Sequence, residues 1–295
     1  MKKNVPASAV ALGHKDYDLL KELVDEIVSR GGGRDALRAS FTSMLRECVD
    51  DVLQTAKTGR RAYSQLEKTE KTYIGTRVEI MLRALLDLEK GKLDTVIKGR
   101  DVDIKNTMGS NWMIPTEAID HPCMLVAADE ESSLCYFGIF IAREEYLTRS
   151  SNRDAKKSIS QDGFSNIYWI FREEEYPPNF WRTVSEEAVA AIFNGKNGNE
   201  RVKTLFRYIQ ERVITRDIIE AVAQQSDFMR RLRSDKKRGT RQRLAEEGII
   251  LLNGHFDSGL ISLLNLPYCG KSEFISFKPK SIEEWELINK FKPEK

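Results

Sequence analysis

Residues 93–107, "LDTVIKGRDVDIKNT", hold three aspartates and two lysines among β-branched residues. From Asp101 the alternation is strict: Asp101, Val102, Asp103, Ile104, Lys105. A strand with that period carries Asp101, Asp103 and Lys105 on one face and Val102 and Ile104 on the other. "DTVI" and "RDVDIK" read as two strands joined by Lys98-Gly99, a two-residue hairpin turn. Such a hairpin folds Asp94 back beside Asp103. Lys105 follows Asp103 on its face by two strand rises, about 7 Å.

Helical periodicity precedes this hairpin. "DYDLLKELVDEIVS", residues 16–29, sets Leu19, Leu20, Leu23 and Ile27 on one stripe, and "RGGGRD" stops it. A second helix is expected from Ala36 to about Ala56. A third, from about Thr72 to Leu88, has the stripe Ile74, Val78, Met81, Leu82 and Leu85, with Glu79 at its edge. Beyond the hairpin, "CMLVAA" and "LCYFGIFIA" are unbroken apolar runs, the pattern of strands covered on both faces. "NRDAKKSIS" reads as a surface helix or loop. "REEEYPPN", where a charge run meets a proline pair, marks a boundary. The expected division is an α/β (α+β) domain over residues 1–171, a linker at 172–179 and a mainly helical domain over 180–295.

The chain's 295 residues suffice for two domains, and an apolar share of 41% fills their cores. Charge is uneven: residues 1–179 hold 26 Lys/Arg against 29 Asp/Glu, whereas 180–295 hold 21 against 16. The basic excess of the C-terminal part points to a polyanion there. Cys48, Cys123, Cys135 and Cys269 show no CxxC spacing, and the histidines are His14, His121 and His255 alone, which argues against a structural zinc site or a disulfide framework. "MKKN" has no apolar stretch behind it, and no run of about 18 apolar residues occurs. A reduced, cytoplasmic protein that spans no membrane is expected.

Phosphodiester hydrolysis needs a divalent cation held by hard oxygen ligands, an activated water, and a cation near the developing charge. Asp94, Asp103 and Lys105 supply such parts, and Glu79 on the neighbouring helix completes the carboxylate set. The same spacing also fits a solvated edge hairpin, and Asp101 shares the face as a bystander. "NTMGSNWMIP" after the lysine mixes small polar residues with Trp112. Asn106, Ser110 and Asn111 there suit hydrogen bonds to phosphates or base edges.

"QLEKTEKTYIGTRVEIML", then "VDIK", then "NWMIPTEAIDHPC" together resemble the NaeI family of type II restriction endonucleases. "RVITRDIIEAVAQQSDFMRRLR" with "EEGIILL" resembles the same family's second domain, and the likeness runs from about residue 48 to residue 255. The resemblance implies an endonuclease domain with a PD-(D/E)xK restriction-endonuclease-like core. Its catalytic residues carry over to Glu79, Asp94, Asp103 and Lys105, the three acids being the metal ligands. Leu93 stands where the motif's name has proline. The resemblance further implies Mg²⁺, with Mn²⁺ able to substitute, a homodimer, and double-strand cleavage within a short palindrome. A cognate DNA methyltransferase would be the genetic partner. A DNA-binding regulator without catalysis, or a structure-specific nicking or repair nuclease, is the alternative.

Between Arg230 and Arg243 stand eight basic residues and one acid, Asp235. "RDIIEAVAQQSDFMRRLRSDKKRG" reads as two short helices joined near "AQQ", with Ser226 or Asp227 capping the second. Ser226, Arg230, Arg231, Arg233, Lys236, Lys237 and Arg238 are the expected DNA contacts of a recognition helix and its wing, and "GIILL" is a strand of that wing. In the family this winged helix-turn-helix domain binds a second copy of the DNA and thereby activates cleavage.

Overall fold

The computed structural model describes residues 5–224, 232 and 239–291. Its chain divides into two compact units, Met1–Leu53 with Ala62–Asn179, and Gln54–Arg61 with Phe180–Lys295.

The helices first met along the chain are α1 (Tyr17–Arg30), α2 (Arg34–Leu53), the one-turn α3 (Thr55–Thr58) and α4 (Lys68–Leu85). In the first unit β1 (Thr95–Ile97) and β2 (Arg100–Thr107) form the expected hairpin, with Ile97 opposite Arg100. Lys98 (φ 51°) and Gly99 (φ 72°) are both left-handed. That pair of positive φ angles matches the twist of the flanking strands, which is why a lysine-glycine pair turns here. The two-residue β3 (Met113–Ile114) follows, then β4 (Pro122–Asp129), β5 (Leu134–Ile141), β6 (Leu147–Ser151), β7 (Lys157–Ile159) and β8 (Tyr168–Glu175). The main sheet has the order β1-β2-β4-β5-β8, mixed because β2 and β4 are parallel, and a small sheet has the order β3-β7-β6.

Both faces of the main sheet are covered, which explains the unbroken apolar runs. One core joins α1, α2 and α4 to Val102 and Ile104 of β2 and to Met124, Val126 and Ala128 of β4. The other joins Cys123, Leu125 and Ala127 of β4 to Ile114, Leu147 and Ile159 of the small sheet, around Trp112. "NRDAKKSIS" is neither helix nor simple loop, since its last part is strand β7. Arg172–Glu175, inside "REEEYPPN", complete β8, with Glu175 opposite Leu134. The second helix also differs from the periodicity: it ends at Leu53, and Gln54 turns left-handed (φ 44°).

The second unit holds α5 (Glu186–Phe193), α6 (Gly198–Tyr208), β9 (Val213–Ile214), α7 (Arg216–Ala223), α8 (Thr240–Glu246), β10 (Ile250–Asn253), α9 (Ser258–Leu263), β11 (Phe274–Phe277) and α10 (Ile282–Phe291). Its antiparallel sheet has the order β10-β11-β9. "GIILL" thus supplies a strand. The spacing of Val202, Leu205, Ile209 and Val213 in "NERVKTLFRYIQERV" reads as one helical stripe, but α6 ends at Tyr208 and Val213 belongs to β9. Helix α7 ends on left-handed Gln224 (φ 51°), within the expected "AQQ" turn. Arg201 of α6 caps α7, donating to the carbonyls of Val222 (2.7 Å) and Ala223 (2.8 Å). Helix α3 packs on α7 within this unit. Among the described residues, no helix is long and apolar enough to cross a membrane.

Candidate active site

Asp94 precedes β1, and Asp103 and Lys105 lie on β2, where they sit beside Cys123 and Leu125 of β4. Laterally paired residues share a face, so both project to the side covered by the small sheet. The register Thr95–Val102 carries on by one step to set Asp94 opposite Asp103. Asp94 Oδ2 accepts the backbone N–H of Ile104 at 2.7 Å, which fixes the carboxylate against the strand. Lys105 Nζ lies 2.7 Å from Asp103 Oδ1 and 3.6 Å from Asp94 Oδ2.

The Asp103 side chain is 5% exposed, and its Oδ2 is buried with no hydrogen-bond partner among the described residues. Burial first, and then Asp94, push its carboxyl up to about 7, although Lys105 pulls the other way. Burial opposes the charge on Lys105 as well, but Asp103 and Asp94 outweigh it, so the ammonium is held above its usual pKa. Lys105 is therefore a fixed cation at neutral pH and no proton acceptor.

Glu79 of α4 stands apart from this trio. Its Oε1 lies 3.7 Å from Arg83 Nη2, and Arg83 Nη1 donates to the carbonyl of Asp94 at 3.4 Å. Burial and the charge of Asp94 raise the Glu79 pKa. Among the described residues no three His, Cys, Asp or Glu side chains converge as a ready metal cage. The donor chemistry nonetheless suits a hard divalent cation. Two carboxylates meet at one lysine, and one buried oxygen has no donor among the described residues.

Asp101 is no bystander. Its Oδ1 accepts the backbone N–H of Lys92 at 2.7 Å and of Leu93 at 3.4 Å. The carboxylate thus clamps the turn that delivers Asp94. Gly91 makes room for it, since a Cβ there would stand 2.5 Å from Asp101 Oδ1 and 2.7 Å from the Thr95 carbonyl. No sequence pattern marks this role, because the acceptor and its donors meet only once the hairpin has closed.

Of the residues expected at DNA, Ser110 is exposed. Asn106 lies on the face opposite Lys105, and its Oδ1 is buried without a partner among the described residues. Asn111 is engaged within the protein. It donates to the carbonyl of Ile159 (2.9 Å) and accepts from the N–H groups of Trp112 (2.8 Å) and Ile159 (3.2 Å). Trp112 is buried and donates Nε1–H to the Val126 carbonyl at 2.8 Å. Ser226, Arg230, Arg231, Arg233, Lys236, Lys237 and Arg238 lie outside the described residues. Two other members of the basic run are committed internally. Arg241 donates to the carbonyls of Leu232 and Leu251, and Arg243 pairs with Glu200 at 2.5 Å.

Comparison with known proteins gives the chain a family. A family model described as restriction endonuclease NaeI matches residues 33–285, a span that contains Glu79, Asp94, Asp103 and Lys105. The type II restriction enzyme NaeI of Lentzea aerocolonigenes is 32% identical over 252 residues, covering 82% of this chain and 78% of that enzyme. A match this long, through the strands that carry the acidic cluster, means that the chain belongs to the NaeI family of restriction endonucleases.

Proposed function

We propose that this chain is a type II site-specific deoxyribonuclease that makes Mg²⁺-dependent double-strand cuts at a short palindrome, as a homodimer. The observation that supports it most is the meeting of Asp94, Asp103 and Lys105 on one sheet face, in a chain of this family. Asp94 and Asp103 would hold the cation, with Glu79 completing the set. When bound, that cation acidifies water and offsets phosphate charge.

The protein's own groups do the rest. Attack of water on phosphorus forms one P–O bond and breaks the bond to the 3′ oxygen, leaving a 5′-phosphate and a 3′-hydroxyl. Negative charge grows on the phosphoryl oxygens, and Lys105, held protonated by its two carboxylates, stabilises it. The contacts of Lys105 with Asp103 on β2 and with Asp94 before β1 hold its ammonium at the site. Its side chain loses little further freedom in reaching the transition state.

The PD-(D/E)xK core corresponds to the first unit, and the winged helix-turn-helix to the second. The run from Ser226 to Arg238 would grip a second duplex. Occupancy there activates cleavage only insofar as it favours the cutting-competent state. The enzyme would act in the cytoplasm beside a methyltransferase that protects the host's own sites.

Lys105→Ala and Asp103→Ala proteins test the centre on plasmid DNA with Mg²⁺ or Mn²⁺. Each is expected to lose at least about 10²-fold in cleavage rate, the scale of one electrostatic donor or proton-transfer group. Cutting at the wild-type rate by either variant would defeat the mechanism.

A further inference from the structure

The geometry points to the β6–β7 hairpin as a DNA-backbone clamp of the first unit, with Arg149, Arg153 and Lys156 neutralising phosphates of the duplex being cut. This rests on the nuclease reading above and names a contact surface for it.

Three observations carry it. The first is unpaired charge. Elsewhere in this unit Lys15, Lys21, Arg30, Arg38, Arg46, Arg77, Lys98 and Arg143 each meet a carboxylate, while Lys68, Lys71, Lys90, Lys92 and Arg100 have none among the described residues. Lys157, the first residue of β7 after the turn, pairs with Glu144. Arg149 and Arg153 are exposed and Lys156 half-buried, and none has a carboxylate partner among the described residues. The remaining acid of this segment is Asp154.

The second observation is a preformed tip. Asn152 Oδ1 accepts the N–H groups of Asp154 and Lys156, both at 2.9 Å. The Asn152 N–H donates to the Lys156 carbonyl at 2.8 Å, and Ala155 takes a left-handed φ of 59° between them. Such a loop has little ordering left to lose on binding.

The third is placement. Strand β7 pairs with β3, and both amide ends of Asn111 hold the Ile159 backbone, only a few residues beyond Lys105. Ile114, Leu147 and Ile159 pack on Cys123, Leu125 and Ala127, the β4 residues that share the face of Asp103 and Lys105. The hairpin is therefore built on the catalytic side of the sheet. Its cations are thus carried on the side of the sheet that holds Asp103 and Lys105.

Charge on an exposed edge strand also discourages strand pairing between molecules. That role predicts aggregation when the charge is removed and leaves DNA binding alone. Full-length wild type, R149A/R153A/K156A and R149K/R153K are compared by titrating a fluorescein-labelled duplex taken from a plasmid that the wild type cuts, over a series of salt concentrations. Each neutralised phosphate contributes a slope of about 0.9 in log K against log salt. The alanine variant is expected to lose about two to three units of slope and to raise KM for plasmid cleavage. The lysine variant keeps the slope, because the charge remains. Wild-type slope and affinity in the alanine variant overturn the clamp, as does an equal loss of slope in the lysine variant. A wild type that cuts no plasmid and binds no duplex defeats the nuclease reading itself, and the clamp with it.

Discussion

Asp103 is nearly sealed from solvent, faces the like charge of Asp94 and leans on Lys105. With its carboxyl pushed up to about 7, the folded chain keeps a proton that the unfolded chain releases from about pH 4 upward. Folded stability therefore falls as pH rises through that window. In melting curves taken without divalent cation between pH 4 and 8, Asp103→Asn should flatten the decline. Lys105→Ala, which leaves two carboxylates facing each other, should steepen it; identical profiles in all three proteins would remove Asp103 as the source. Asp101→Ala releases the Lys92 and Leu93 amides at a cost of about 1–3 kcal/mol, the range for a lost charged acceptor. Since those amides position Asp94, kcat should drop more than KM rises, and Asp101→Asn, which retains an acceptor oxygen, should recover part of it. Equal kcat in the alanine variant would reduce Asp101 to a structural cap. Strand alternation made the shared face of Asp103 and Lys105 legible, the hairpin and the needs of phosphate chemistry added Asp94 and Glu79, and the long resemblance favoured that set over a solvated hairpin. The clamp of Asp101 and the inward commitment of Asn111 were hidden: the first forms only when the hairpin closes on the loop before it, and the second depends on the Ile159 backbone from a distant part of the chain.

The β1–β2 hairpin and the loop before it work as one piece. Thr95 Oγ1 donates to the Glu89 carbonyl at 2.7 Å, and the Val96 N–H reaches the same oxygen at 3.2 Å. Gly91 sits inside this loop, and an added Cβ would collide with backbone as well as with Asp101. Gly91→Ala should therefore cost cleavage activity beyond its effect on melting temperature, since any relief moves Asp94. An alanine protein with wild-type turnover would show that the loop adapts freely. Elements were readable where the period was strong and local: the hairpin, the two covered strands, and helices α1, α4 and α6. They were misread where tertiary packing overrode periodicity. The apolar spacing of α2 runs on past Leu53, yet Gln54 breaks the helix. The stripe through "NERVKTLFRYIQERV" likewise outlasts its helix, because Val213 pairs with Ile275 in a sheet.

Two units with separate cores share one chain, and the division is not a single cut. Residues 54–61 belong with 180–295, where α3 packs on α7 and Arg61 lies over the Phe193 ring at 4.6 Å. A fragment of residues 180–295 should accordingly melt below one to which residues 54–61 are tethered. Equal melting temperatures would show that α3 adds nothing to the second unit. Composition announced a basic C-terminal half and a boundary near the proline pair, but no compositional shift marks eight residues visiting from elsewhere in the sequence. The visit has a consequence for inheritance. A gene joined to a new partner at one recombination point near residue 179 would carry the second unit away without its α3, and leave that turn stranded in a foreign host. Exchange of this unit between relatives needs two matched crossovers, so the halves of this protein are expected to travel through genomes together rather than shuffle as cassettes.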